Sequence, residues 1–553
     1  MTNAKQTERP IAGLMLDPAR LTERHEFYFE LVPYLAEWGY NTIWWHFCDD
    51  EGFALQLERH PELASPYAFT KTEMRRLIEH AAQYGIDVVP EVESLGHALA
   101  ITMHPEYEHL FDGNPRGHNA LCPSHPDTLR LVVDIIDEVL EFSTSAYLHV
   151  GLDEAEFGDC PRCAERAAGH PDWWLQAVHA KQLHRMVTDR GRRMIMWADA
   201  VESHPQMRDR IPKDVILAHW HYKEVPPQAA RDSAQAGFQV VCVGAVSGET
   251  VMPNAANLKN VDDNAAVAAS LPECARAGLV TCWWEPHRIL RDTHAWAVAY
   301  AGRVMQTQCP QDKGKLSVEF VRRVFGLESP AVATALLTLH ERALERPQLK
   351  HFYADSLADA YHAIQAGGTA ETTDRHAEMR QVHETLRTEQ CQVPRNKAMY
   401  QAYVLAAKIH AQAFRNAQQW NRFFQIYENA LSQADCSAPA NEVSSKLEPA
   451  LDILNDLKQE TARIAEAVEQ EWDCTRHPDD TKKDNSSPYM RQRAERNLLA
   501  TLLQSRQFLE HFQRRSARWR DEYGCTIATE SSRSAGSRST ISSAFRDAAR
   551  GGA

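Results

Sequence analysis

From residue 11 to about 307, short runs that are apolar on successive positions alternate with longer stretches whose apolar residues recur at helical spacing. A chain that lays down strand and helix by turns reads this way. The strand candidates are IAGLMLD (11–17), NTIWWHF (41–47), IDVVPEVE (86–93), YLHVGLDE (147–154), RRMIMWAD (192–199), VILAHWHY (215–222), FQVVCVGAV (238–246) and GLVTCWWE (278–285). Several lack polar alternation, as strands must when helices cover one face and a filled interior the other. Eight such strands within roughly 250 to 300 residues predict a (β/α)8 TIM barrel rather than an open sheet. Beyond about residue 325 the strand pattern stops, and AVATALLTLHERALE (331–345), AMYQAYVLAAKIHAQAFRNAQQWNRFFQIYENAL (398–431) and VSSKLEPALDILNDLKQETARIAEAVEQEW (443–472) show helical periodicity. The expected organisation is an α/β barrel over 1–325, a mainly α-helical C-terminal domain over 326–520 broken by the polar loop 475–488, and a Ser/Arg-rich disordered tail over 521–553.

Composition narrows the class. Of 553 residues, 44% are hydrophobic and 24% charged, which is ordinary globular usage and excludes fibrous or wholly disordered readings. The formal charge of -15 opposes nonspecific nucleic-acid binding, which needs a basic face. No stretch approaches the about 18 continuous apolar residues of a membrane span, and the N-terminal segment has no apolar run ahead of a small-residue cleavage site. A cytoplasmic protein with no nucleic-acid or membrane partner is expected, with homodimerisation open. Twelve cysteines are too dilute for a disulfide framework, and Cys48, Cys242 and Cys282 sit in strand-like runs as small hydrophobes. The close pair Cys160 and Cys163 in DCPRC has no second CxxC or HxxxH beside it to complete a tetrahedral zinc set, so neither metal nor cofactor is expected.

Titratable and aromatic residues gather at the C-terminal strand ends, where a barrel builds its chemistry: Asp17, His46, Glu91, Glu93, Asp153, Glu154, Trp197, Asp199, Trp220, Tyr222, Trp283 and Glu285. The adjacent carboxylates Asp153 and Glu154 close the run LHVGLDE. At a pocket rim, desolvation and mutual repulsion should raise one pKa, giving an acid able to donate a proton beside a neighbour able to stabilise positive charge. A solvated acidic pair capping the next helix is the competing account. Trp44, Trp45, Trp197, Trp220, Trp283 and Trp284 suit the apolar faces of a pyranose collectively, although any one of them is accounted for by core burial.

WWHFCDDEGF resembles the HxxDDxG segment, VVPEVESLGHA the PExxxxGH segment, ALCPSHP the loop after it and LHVGLDE the HxGxDE motif of family 20 glycoside hydrolases, the β-N-acetylhexosaminidases, in the same order. The resemblance covers 11 to about 307 and is closest in form to the intracellular hexosaminidase D-like branch. It implies exo-hydrolysis of terminal β-linked N-acetylglucosamine or N-acetylgalactosamine by a retaining, substrate-assisted route, in which the sugar's acetamido oxygen replaces an enzyme nucleophile. By that likeness Glu154 is the general acid and then base, and Asp153 holds the acetamido N–H and the oxazolinium charge. Asp49 and His97 form a relay behind Glu154, Trp197, Trp220 and Trp283 enclose the sugar, and Glu285 binds its outer hydroxyls.

The chain departs from the family pattern in three places. Ala12 stands where many members place a sugar-clamping arginine before Gly13, so that either Arg20 or Glu285 substitutes or the sugar preference differs, and Asp17 and Arg20 join the substrate-binding candidates. The seventh-strand loop VGAVSGETVMPN offers no tyrosine for the acetamido carbonyl, so Tyr222 is the candidate, and Glu93 and Ser94 replace the usual Asp and Pro before the GH pair. Two other readings compete. A metal-dependent hydrolase would gather His46, Asp49, His97, His149 and His287, but it leaves the tryptophans without a role. A noncatalytic sugar-binding or scaffold protein on the same barrel would have no need of the Asp153 and Glu154 pair.

Overall fold

In a computed structural model of the chain, eight parallel strands close into a barrel: β1 (Ala12–Leu16), β2 (Thr42–His46), β3 (Asp87–Glu91), β4 (Tyr147–His149), β5 (Arg193–Trp197), β6 (Ile216–Trp220), β7 (Gln239–Ala245) and β8 (Gly278–Cys282). Neighbours in sequence are neighbours in space, and β8 pairs with β1 to complete the ring, Ala12 opposite Gly278 and Leu16 opposite Cys282. The structure describes residues 10–514 apart from 114–117, 159, 172, 248–251, 273–274, 276, 283–289, 368, 436–439 and 476–500. The tail expected over 521–553 and nearly all of the loop expected over 475–488 lie outside the described residues. All eight expected strands form, and the α/β barrel followed by a helical region is the fold of the chain.

By internal contacts the chain forms two units, the first comprising 1–248, 255–286 and 294–316, the second 249–254, 287–293 and 317–553. In the first, each strand is followed by a helix: α1 (His25–Glu37), α2 (Lys71–Gln83), α3 (Pro126–Leu140), α4 (Trp174–Asp189), α5 (Asp199–Ser203), α6 (Pro227–Gln235), α7 (Ala255–Ser270) and α8 (Ala295–Thr307). Local chemistry sets the starts. Thr70 and Glu73 satisfy each other's backbone N–H groups in a capping box ahead of α2, a device worth about 1 kcal/mol, and Pro126 opens α3 where its missing N–H costs nothing.

The second unit is helical, built on Pro330–Arg342, Ala370–Glu389, Lys397–Asp435 and Ala440–Thr475. Its buried aromatics keep their polar tips bonded: Tyr353 Oη donates to Ile409 O at 3.0 Å and Tyr400 Oη to Leu386 O at 3.0 Å. Among the described residues, no helix is long and apolar enough to cross a membrane.

Strand alternation explains the barrel interior. Met15, Trp44, Val89, Ile195, Trp197, Ile216, Ala218, Val241, Val243 and Leu279 form one buried cluster inside the ring, while their sequence neighbours face the helices. Two residues further along the same inward faces, Met15 gives way to Asp17, Trp44 to His46, Val89 to Glu91 and Tyr147 to His149. All four of these polar residues are 0 to 1% exposed. A plug of hydrocarbon therefore changes, within one step along the strands, into a layer of ionisable groups.

Candidate active site

That layer is held by opposite charges. His46 at the end of β2 places Nδ1 on Glu91 and Nε2 on Asp49, the latter at 2.9 Å. Burial acts to lower the His46 pKa, but Glu91 and Asp49 outweigh it and hold the imidazole well above its ordinary value. On the other side of Asp49 lies Arg20, whose guanidinium meets Asp49 at 2.7 Å, Asp17 at 3.0 Å and Glu51 at 3.4 Å. Burial would raise Asp49, yet Arg20, His97 and His46 together hold its carboxyl well below the usual range. Asp49 is thus a fixed anion at the centre of a cationic cradle.

His97 connects this cradle to the acid pair. Its Nδ1 faces Asp49 Oδ1 at 3.6 Å and Asp50 at 3.6 Å, and its Nε2 faces Asp153 Oδ2 at 3.6 Å and Glu154 Oε2 at 3.5 Å. Burial lowers the His97 pKa, but Asp49 and Asp153 overcome it and keep the ring protonated well above its normal range. The Asp153 side chain is 13% exposed and that of Glu154 41%, so Glu154 reaches solvent at the mouth while Asp153 is largely buried and His97 is buried behind both.

The acid loop is strained into this position. Gly151, Leu152 and Glu154 all adopt left-handed backbone angles, φ 65°, 79° and 44°, and His97 does so at 48°. For a non-glycine residue this costs about 1–3 kcal/mol and persists only where surroundings enforce it. The enforcing contacts are Gln176 Nε2 to Leu152 O at 2.9 Å, Leu152 N to Glu93 Oε2 at 3.3 Å and Glu154 N to Asp199 Oδ2 at 3.0 Å.

Three of these groups tune the loop in ways that strand-end position alone does not reveal. Burial, with Glu91 beside it, drives Glu93 well above the usual carboxylate range. Burial and then Glu93 do the same to Asp153, so it is Asp153 whose carboxyl the pair's environment raises. Burial, followed by repulsion from Asp153, pushes Asp199 up to about 7. Glu93 and Asp199 are visible in the sequence only as acids near strand ends; nothing there says that one grips Leu152 and the other the amide of Glu154.

The remaining expected residues are placed as follows. Asp17 is buried and tied to Arg20, and Arg20 spends its guanidinium on three carboxylates. Trp197 is 1% exposed inside the barrel cluster, against Trp44 at 5.8 Å and His149 at 4.6 Å between ring centroids. Trp220 is partly buried at the edge of that cluster and tilts toward Tyr222 at 5.1 Å. Trp283, Glu285 and His287 lie outside the described residues. In this layer His46 with Glu91 and Glu93, and His97 with Asp49 and Asp50, stand within metal-ligand spacing of one another, and each imidazole is set between carboxylates.

Against known proteins, residues 10–247 match the catalytic domain of glycosyl hydrolase family 20. A beta-hexosaminidase of Vibrio furnissii is 30% identical over 267 residues, covering 41% of this chain and 42% of the relative. A beta-hexosaminidase of Akkermansia muciniphila is 29% identical over 184 residues, covering 28% and 37%. The chain thus spans less than half the length of these relatives. The crystal structure of a beta-N-acetylhexosaminidase from Bacteroides fragilis superposes with a TM-score of 0.48 at 20% identity, over 56% of this chain and 68% of that one.

Proposed function

From the match of residues 10–247 to the family 20 catalytic domain, we propose that the protein is a family 20 glycoside hydrolase, an exo-acting β-N-acetylhexosaminidase of the hexosaminidase D-like branch. It removes terminal β-linked N-acetylglucosamine or N-acetylgalactosamine by a retaining, substrate-assisted reaction. The observation that carries this reading is the line Asp49, His97, Glu154, in which a buried imidazolium stands 3.5 Å from a carboxyl that is itself open to solvent.

Glu154 protonates the departing glycosidic oxygen as the acetamido oxygen closes on the anomeric carbon. Asp153 accepts the acetamido N–H and faces the positive charge of the oxazolinium ring, and Glu154 then takes a proton from the attacking water. His97, anchored by Asp49, is a positioning residue that bears on both acids at once. Burial raises Asp153, and the acetamido N–H together with the positive charge developing on the ring favours its ionised, accepting form once the sugar is bound. General acid and base help supplies about 10² to 10⁴ in rate, and a well-oriented internal nucleophile about 10⁵ M or more in effective concentration.

The test is release of chromophore from aryl β-N-acetylglucosaminide and β-N-acetylgalactosaminide by the full chain and by Glu154→Gln. A loss of roughly 10²-fold or more is expected in the variant on these substrates, since Glu154 serves as base as well as acid. A wild-type chain silent on every aryl N-acetylhexosaminide overturns the assignment. Equal turnover of β-glucosides would remove acetamido participation while leaving the glycosidase, and strong inhibition by a thiazoline mimic of the cyclised sugar supports it.

A further inference from the structure

The sequence offers only the pair Cys160 and Cys163, but the fold brings two further groups to them. The loop after β3 carries Asp112 and Cys122, and the segment after β4 carries Cys160, which caps the short helix Pro161–Ala167, and Cys163 within that helix. Cys122 Sγ lies 3.3 Å from Cys160 Sγ and 3.5 Å from Cys163 Sγ, and the Asp112 carboxylate stands beside all three. One ligand atom from each of the four falls within 4.8 Å of every other. Asp112 and Cys122 are each 2% exposed and Cys163 is 0% exposed.

From this convergence we propose that Asp112, Cys122, Cys160 and Cys163 form a structural zinc site that fastens the two loops together. Thiolates at the corners of a tetrahedron about 2.3 Å from zinc stand about 3.8 Å apart, close to the observed separations, whereas a disulfide needs about 2.05 Å and joins only two sulfurs. Here one sulfur faces two others at nearly equal distance, the arrangement of atoms around a common centre. Three soft sulfurs and one carboxylate favour zinc over magnesium or calcium, and four protein ligands leave no open position, which makes the ion structural rather than catalytic.

The surroundings suit charged ligands. Cys163 N donates to Cys160 Sγ at 3.3 Å across the CxxC turn, Ser124 Oγ lies 3.2 Å from Cys163 Sγ, and Gly158 N fixes Asp112 Oδ1 at 2.7 Å. Arg166 reaches the same loop through Pro123 O at 2.8 Å and adds a positive charge beside the cluster.

The site sits close in sequence to the acid pair. Between Asp112 and Cys122 the chain forms the short strand His118–Asn119, which pairs with Ala155–Glu156, immediately after Asp153 and Glu154. A zinc ion at the cluster therefore braces the loop that carries Glu154 from its far end.

The experiment is metal analysis of the full chain purified without chelator, together with the spectrum of protein made with cobalt in place of zinc. About one zinc per chain and a thiolate-to-cobalt charge-transfer band are expected. Both should vanish in Cys122→Ser and Cys163→Ser and persist in Cys391→Ser, whose thiol is exposed and outside the cluster. Treatment with a strong chelator should release the zinc and lower the melting temperature of the wild-type chain, a readout that needs no variant to fold. A metal-free chain in which Cys122, Cys160 and Cys163 are all labelled as free thiols, a Cys122 to Cys160 disulfide in nonreducing peptide maps, or zinc retained without a thiolate band in Cys163→Ser each overturns the proposal. The last result would assign the ion elsewhere, Glu202, His219 and His221 being one other group within ligand spacing. None of these outcomes depends on glycosidase activity.

Discussion

Asp199 titrates at about 7 because burial disfavours its charge and Asp153 stands close by, and its Oδ2 accepts the amide N–H of Glu154. Above pH 7 it is an anion next to the residue assigned as general acid, and a neighbouring anion makes a carboxyl harder to ionise. Asp199→Asn keeps an oxygen for the amide but removes that charge, so Glu154 loses its proton more readily. The alkaline limb of kcat/KM should move to lower pH, by about half to one unit, with the maximum reduced about tenfold at most. An alkaline limb that stays where it is would show that Asp199 only anchors the backbone. Asp49, His97, Asp153 and Glu154 are legible in the sequence because motif order and strand-end position mark them. The tuning of Asp153 by Glu93 and the grip of Asp199 are not legible, since both depend on how deeply a carboxyl is buried and on which loop amide it meets.

At the scale of elements, the loop after β3 and the acid loop meet backbone to backbone at Gly96. A Cβ there would come 2.5 Å from Asp153 O and 3.3 Å from the Cα of Ala155, with no flexible side chain able to yield. Gly96→Ala should therefore push the acid loop outward. A displacement of about 1 Å can cost about 10² in kcat, and overpacking about 1–3 kcal/mol in stability. Gly85→Ala is the control: its φ of +71° makes it strained, but nothing lies within 4 Å of the added Cβ, so stability falls and kcat holds. Steady-state kinetics beside thermal melts of both variants separate the two effects, and an unchanged kcat in Gly96→Ala would mean the loops are not in contact as described. The eight barrel strands were readable because two-sided burial writes a continuous apolar run for each. The two-residue pairings Cys48–Asp49 with Gly52–Phe53 and His118–Asn119 with Ala155–Glu156 carry no such run, and neither does the meeting of Asp112 and Cys122 with Cys160 and Cys163. Only the closed barrel brings those loops together.

Across the whole molecule, both units bury neutral imidazoles that are not part of the acid pair. His179 Nε2 in the first unit donates to Ser94 O over 3.1 Å, and in the second His340 Nδ1 donates to Pro253 O at 2.8 Å and His410 Nδ1 to Ala406 O at 2.8 Å. Burial drives all three down to about 4. In the unfolded chain each returns to about 6.5. Between those values the unfolded state binds protons that the folded state refuses, so stability is complete above about pH 6.5 and drains away as pH falls toward 4. His46 and His97 act in the opposite sense, since their raised pKa values support folding at low pH and lose that support as pH rises through them. The barrel's acid sensitivity is therefore a compromise, whereas His340 and His410 of the helical unit press one way only. His410→Leu removes one of the two without taking a partner from another side chain. Denaturant unfolding of the full chain, followed by a probe of the helical unit, should lose roughly 1.4 kcal/mol per pH unit less in the variant than in the wild type between about pH 6 and 4. Parallel stability curves for the two proteins over that range would mean that His410 takes up its proton inside the fold, and that the helical unit opens to water around it before unfolding.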